Sequence, residues 1–473
     1  MNPVEVPFLG GVGPGRSVAA NPLRRLNWFT EIDKDTGLKT LQITPGMTLF
    51  ATNGNNLTRG EHQLGDYLYV VQAGTFYEVN NAGTFTSRGT LTTTSGRVTM
   101  ADNGTQIVIV DGADMYVYVP ATNSYSTLGS PASTYNASIV IYANGYFAVP
   151  KANSGEWYIS ALGDGLTWDS LDFADAETFP DNLESMISDN GQVWLFGGYS
   201  TEVWYNSGDA DFPFRIISGS NIEWGIKAKY SVAKVDNRLV WLANPPGGGG
   251  PVIVRNNGFN VERISTHAIE YLIGQYSTIG DAFAFSYAEE GHYFYVLTFP
   301  TGNATFVWDS STGEWHERSS SPIGEGRYRA NSYAYYIGQH IVGDYQTGNL
   351  YRMDLGVYDE NGETIRSELR VKINEHRQNY VRHNMLQVEF QTGVGLSSGQ
   401  GSDPQAMLDW SDDGGFTWSN EHWRSLGAIG NYLARVIWRR LGMSRDRVYR
   451  LAVTDPVQRT ILGASLEVEV ENA

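Results

Sequence analysis

The sequence predicts an all-β fold: a β-propeller-like repeat domain of six or seven blades, followed by a small β-sandwich. Three observations carry this. Glycine is abundant at 53 of 473 residues, beside recurrent Thr, Tyr, Val, Asn and Ser, whereas long Ala/Glu/Lys/Leu tracts are missing; these are strand and turn formers. A unit of two or three short strands joined by polar turns recurs along the chain. Successive units start roughly 40–50 residues apart, the spacing of four-stranded blades. Two stacked sandwiches are the alternative arrangement.

Residues 1–56 read as an irregular N-terminal arm, with Pro3, Pro7, Pro14 and Pro22 and repeated glycines between Gly10 and Gly15. The repeat domain, 57–357, opens with Tyr67-Leu68-Tyr69-Val70-Val71 and Phe76-Tyr77-Glu78-Val79. Val98-Thr99-Met100-Ala101 then leads through Asp102-Asn103-Gly104 to an apolar run at 106–110, and Asp111-Gly112 turns the chain into Met115-Tyr116-Val117-Tyr118-Val119. The same grammar returns around Asn144-Gly145, Asn190-Gly191, Asp236-Asn237, Glu290-Gly291 and Gly338. Most of these turns pair a residue tolerant of positive φ with Gly, which a two-residue hairpin requires. Pro245-Pro246 followed by Gly247 to Gly250 reads as an exposed loop within one unit. The pattern changes around Tyr358-Asp359-Glu360-Asn361-Gly362, and alternating strands in 358–473, such as Met385-Leu386-Gln387-Val388-Glu389-Phe390, fit a sandwich.

Composition excludes several function classes. There is no cysteine, so disulfides, zinc knuckles and thiol nucleophiles are ruled out. No signal peptide is visible at the N-terminus, and no apolar run approaches the ~20 residues of a spanning helix. A soluble chain made in the cytoplasm is expected. Residues 1–365 carry 38 acidic and 20 basic side chains, the whole of the net charge of −18, while 366–473 carry 13 of each. Between Lys151 and Arg215 lie 12 acidic residues and no basic one, among them Asp164, Asp169, Asp172, Asp175, Glu177, Asp181 and Glu184. Such a surface repels nucleic acid and attracts basic partners in a salt-sensitive way. Solvated loops that keep a large protein soluble are the competing explanation.

The sharpest local motif is Ser411-Asp412-Asp413-Gly414-Gly415-Phe416-Thr417-Trp418, an Asp-box hairpin in which Ser411, Asp413, Gly415, Thr417 and Trp418 occupy the signature positions. Its carboxylate and hydroxyl bond turn N–H groups, so the motif is structural even where its host is a glycosidase. A glycosidase needs two carboxylates across one sugar bond, and nothing singles out a pair among 51 acidic residues. The eight histidines are scattered without metal-ligand spacing. No P-loop, nucleophile elbow or dinucleotide fingerprint is present, and no catalytic residue, metal or cofactor is assigned. One basic feature stands out: Arg435, Arg439, Arg440, Arg445, Arg447 and Arg450 fall within 16 residues. Guanidinium at this density suits docking to carboxylates. DNA phosphate and an idle solvated face are the alternatives.

Near the N-terminus stand Asn27-Trp28-Phe29-Thr30-Glu31-Ile32-Asp33 and Thr44-Pro45-Gly46-Met47, and towards the C-terminus Asp409-Trp410-Ser411-Asp412-Asp413-Gly414 and Arg435-Val436-Ile437-Trp438-Arg439-Arg440-Leu441. With these segments both ends of the chain resemble the packaged-DNA stabilisation (tail-hub or tail-nozzle) proteins of short-tailed phages. The resemblance implies a non-enzymatic virion component. It implies a homohexameric ring below the portal and its head-to-tail adaptor, closing the DNA channel and carrying tailspike, fibre or needle proteins. Double-stranded DNA would pass without sequence-specific contact. In that setting the acidic stretch is the expected channel lining, and the arginine cluster the expected subunit or adaptor contact. A sialidase-like, glycan-binding propeller is the competing class.

Overall fold

A computed structural model of the chain describes residues 4–5, 15–17, 21–54, 56–176, 179–373 and 379–470. Seven antiparallel sheets form the blades of a propeller. Blade 1 comprises Thr58–Leu64, Tyr67–Gln72, Thr75–Val79 and Phe85–Thr90; blades 2 to 6 follow at 99–127, 141–175, 183–216, 225–263 and 283–317. Blade 7 takes three strands from 330–354, and its fourth, Gly46–Thr52, from the N-terminal side, with Met47 opposite Met353. This resolves the count of six or seven units as seven and sets aside the stacked sandwiches.

Local turn chemistry explains the blades. Asn144-Gly145 and Asn190-Gly191 hold positive φ at both central positions (51° and 94°, 50° and 74°), the mirror-image turn that matches strand twist. Between neighbouring blades lie seven apolar cores, one per junction. In the first, Tyr69, Phe76 and Tyr118 close on one another with centroids 5.4–5.6 Å apart; each such buried ring contributes about 1.5–3 kcal/mol relative to exposure. The ring closes where blade 7 meets blade 1: Asn331 Nδ2 donates to the Thr58 carbonyl (2.7 Å), and Tyr336 Oη to that of Asp66 (2.8 Å).

An eighth core belongs to the sandwich. Its first sheet orders Trp28–Ile32, Lys39–Ile43, Thr460–Val470, Val381–Phe390 and Val436–Arg439. The second orders Arg24–Leu26, Ser367–Ile373, Arg447–Val453, Gln405–Ser411 and His422–Ser425, and it continues blade 6, because Arg24–Leu26 pairs in parallel with Glu314–Glu317. The segment that reads as an irregular arm is thus strand-rich from residue 24 onward: three strands enter the sandwich and one closes the propeller. Its Pro and Gly residues lie mainly before residue 24; Trp28–Ile32 and Lys39–Ile43 form a local hairpin, but the other pairings of these strands reach partners hundreds of residues away, which no local pattern reveals. Alternation along Trp28–Ile32 sends Trp28 into the sandwich core and Phe29 into the core between blades 6 and 7.

Candidate functional site

The first strands of the blades, with the residues that lead into them, surround a central cavity of about 310 Å³, bordered by Glu61, Arg97, Lys229, Tyr230 and Tyr333 among others. Glu61 accepts from Ser332 Oγ at 2.6 Å, while Arg97 Nη2 donates to the Asn331 carbonyl (2.8 Å) and stacks 3.8 Å over the Phe283 ring. Burial pushes the Glu61 carboxyl up to about 8, against the opposing pull of the Ser332 hydrogen bond and the Arg97 charge.

The acidic stretch lies mostly on the propeller's rim, not on its axis. Asp164, Asp169, Asp172 and Asp175 belong to Asp164–Asp175, the outermost strand of blade 3. Asp164 is spent on a turn, accepting from Leu166 N (3.0 Å), Thr167 Oγ1 (2.8 Å) and Gln106 Nε2 (3.1 Å). Asp181 likewise accepts from the N–H groups of Tyr199 (2.7 Å) and Ser200 (3.2 Å). Glu184 is exposed on the first strand of blade 4, and Glu177 lies outside the described residues. Asp169, Asp172 and Asp175 form no ion pair among the described residues, and burial together with the Asp169 charge raises the Asp172 carboxyl.

In the Asp-box hairpin, Asp413 accepts from Phe416 N (2.9 Å), Thr417 N (2.9 and 3.0 Å), Thr417 Oγ1 (2.6 Å) and Ser411 Oγ (2.6 Å), while Ser411 Oγ accepts from Gly415 N at 2.8 Å. The hydrogen bonds from Ser411 and Thr417 hold the Asp413 carboxyl far below the usual range. Both carboxylate oxygens are used inside the turn. The hairpin lays Trp418 beside two guanidinium groups, Arg450 at 4.2 Å and Arg370 at 5.5 Å from the ring centroid.

The arginine cluster divides. Arg447 is buried: its Nε and Nη2 fork onto Asp412 (2.7 and 2.8 Å), and Nη1 donates to the Leu441 carbonyl (2.6 Å). Arg450 forks onto Asp409, its register partner on the adjacent strand, through Nε at 2.9 Å and a second contact from Nη2. These two positions correct the expectation of a single surface cluster: strand pairing sets Arg450 opposite the buried Asp409, and the Asp-box hairpin brings the half-exposed Asp412 to Arg447. Arg435, Arg439, Arg440 and Arg445 are exposed and form no ion pair among the described residues; Arg435 Nη2 donates to Gln387 Oε1 (2.7 Å), and Arg445 lies 4.3 Å over Tyr380.

Sequence reasoning missed the part played by Asn27. At φ 54°, its Nδ2 donates to the carbonyls of Ser319 (2.9 Å) and Arg366 (2.8 Å), and its Oδ1 accepts from Ser319 N (3.1 Å). It thereby ties the exit of blade 6 to the entry of the sandwich. Among the described residues no helix is long and apolar enough to cross a membrane, and no group of three metal-ligating side chains converges.

Comparison with the curated proteins finds no match. Among solved structures, the computationally designed Ika8 protein is 11% identical with a TM-score of 0.40, over 65% of this chain and 100% of its own. The extracellular domain of a putative one-component system from B. thetaiotaomicron is 10% identical with a TM-score of 0.44, over 87% and 58%. The N-terminal domain of Nup159 is 10% identical with a TM-score of 0.39, over 70% and 98%. None of the three bears on function at these scores. Two family models match nearly end to end: bacteriophage P22 Gp10, beta-propeller, over residues 25–358, and bacteriophage P22 Gp10, beta-sandwich, over 368–469. The chain belongs to the bacteriophage P22 Gp10 family of packaged-DNA stabilisation proteins, a family of phage structural proteins.

Proposed function

We propose that this chain builds the tail hub, or nozzle, of a short-tailed virion. It forms a homohexameric ring beneath the portal and its adaptor, retains packaged DNA, and offers attachment for spikes, fibres or a needle. The observation that carries this reading is the match of both family models across the two modules. The physical features agree with it. Seven inter-blade cores and a shared sheet make a stiff scaffold that presents loops without a bistable element. A net charge of −18 disfavours lasting contact with phosphate. A central cavity of about 310 Å³ does not admit duplex DNA, so the DNA passage is the lumen of the ring, and the blade 3 and blade 4 carboxylates outside the Leu166–Asp172 patch, Asp175 and Glu184, are its candidate lining.

Particles assembled without the chain should package DNA and then lose it to added nuclease, and purified chain should restore retention. Particles that keep their DNA without it would overturn the reading. Reversing Asp175 and Glu184 to lysine tests the lining: slower DNA exit is expected, and unchanged ejection removes these residues from the lumen. The sialidase-like alternative draws no support from the Asp box, whose carboxylate is consumed by its own turn.

A further inference from the structure

Two surfaces on different flanks of the molecule are each incomplete. The nine-stranded sheet runs outward from blade 6 and ends at His422–Ser425, and the facing sheet ends at Val436–Arg439. The loop joining these two far edges exposes Tyr432 (73%) and Leu433 (91%), beside the exposed, ion-pair-free Arg435 and Arg439. Blade 3 stands three blades away around the ring, which puts its rim on the far flank from the sandwich. Its 12-residue outer strand exposes Leu166 (44%) and Leu171 (78%), with Asp169 and Asp172 alongside. Among the described residues, no other outer blade strand exposes two leucines.

An exposed, apolar edge strand is a template for association unless something covers it. Here the two patches are complementary. One offers leucine with carboxylates in a stretch lacking cations, and the other offers leucine and tyrosine with guanidinium groups; neither set forms an ion pair among the described residues. We propose that the sandwich tip around Tyr432, Leu433, Arg435 and Arg439 docks on the blade 3 rim around Leu166, Asp169, Leu171 and Asp172 of a second copy of this chain. The contact joins two different patches, so it is heterologous and propagates from copy to copy, closing into a ring where the rotation permits. Guanidinium forks onto Asp169 and Asp172 would offset the burial and the Asp169 charge that together raise the Asp172 carboxyl, and they make the contact weaken with salt. The proposal deepens the reading of the chain as a ring component of the virion, and it names the counter-surface of the exposed arginines.

The chain has no cysteine, which permits a direct trap. Leu171→Cys and Leu433→Cys are introduced singly and together, in purified full-length chain and in particles assembled with it, and oxidised species are read on non-reducing gels. The double variant should give covalent multimers beyond the dimer, and each single variant should give none. As a second arm, Asp169→Arg with Asp172→Arg, and Arg435→Asp with Arg439→Asp, should each cut incorporation into particles at least tenfold, and the four together should restore it. Monomers alone in both the purified chain and the particles that contain it would overturn the docking surface and leave the virion reading standing. Wild-type chain missing from particles would instead sink the virion reading, and the purified chain's multimers would then decide the docking.

Discussion

Arg447 and Arg450 differ from Arg435 and Arg439 in everything but residue type and neighbourhood. The first pair lies on Arg447–Val453, in the middle of a sheet, where strand pairing and the Asp-box hairpin supply Asp409, Asp412, Trp410 and Trp418 as partners. The second pair lies at the free edge of the facing sheet, where no strand follows. Local arginine density therefore marks a place in the fold, and the fold decides whether each side chain locks it or stays exposed. A guanidinium with a buried carboxylate opposite it holds the sandwich together; one at an edge remains available.

Breaking the locked half should cost the most. Arg450→Ala strands Asp409, whose side chain is 4% exposed, and an uncompensated buried charge costs about 3–5 kcal/mol. Denaturant titration of the full chain measures this, and Arg450→Lys should recover only part of it, because the fork is lost. Arg447→Ala should cost less, about 2–3 kcal/mol, since Asp412 is 46% exposed and returns to solvent. Equal losses for the two would mean that partner burial does not set the cost.

Glu61 offers a third contrast, an ionisable group buried on the propeller axis with its carboxyl pushed up to about 8 from an ordinary 4.5. Across that window the folded chain holds a proton that the unfolded chain has released, so stability falls as pH rises from about 4.5 to about 8 and levels off above it. Glu61→Gln should remove that slope, compared at about pH 5 and about pH 8.5. A slope that survives the substitution assigns it to another buried group.

The repeated units, six or seven by sequence, were legible because most of their hairpin turns carry their own chemistry, as Asn144-Gly145 and Asn190-Gly191 do. The Asp box was legible for the same reason: the turn's partners all lie within residues 411–417. The fate of Gly46–Thr52 was not, because its partner strand, Asn349–Asp354, lies about 300 residues further on, and long-range pairing leaves no periodic trace. Asn27 was invisible in its role for a similar reason, since its partners are the carbonyls of Ser319 and Arg366. The division of the arginine cluster required the register Asp409 to Arg450, which spacing alone does not supply.

The smallest expected effect on folding belongs to the exposed arginines, and it gives the most direct test of the division. Arg435→Glu with Arg439→Glu should leave stability within about 0.5 kcal/mol of wild type, as substitutions at unpaired surface sites do. The decisive measurement is the mass of the assembled chain in solution and in particles, taken beside that stability. The double variant should fold normally and fail to form the ring proposed for the wild type. A double variant that assembles as the wild type does would contradict the claim that this half of the cluster exists for a partner.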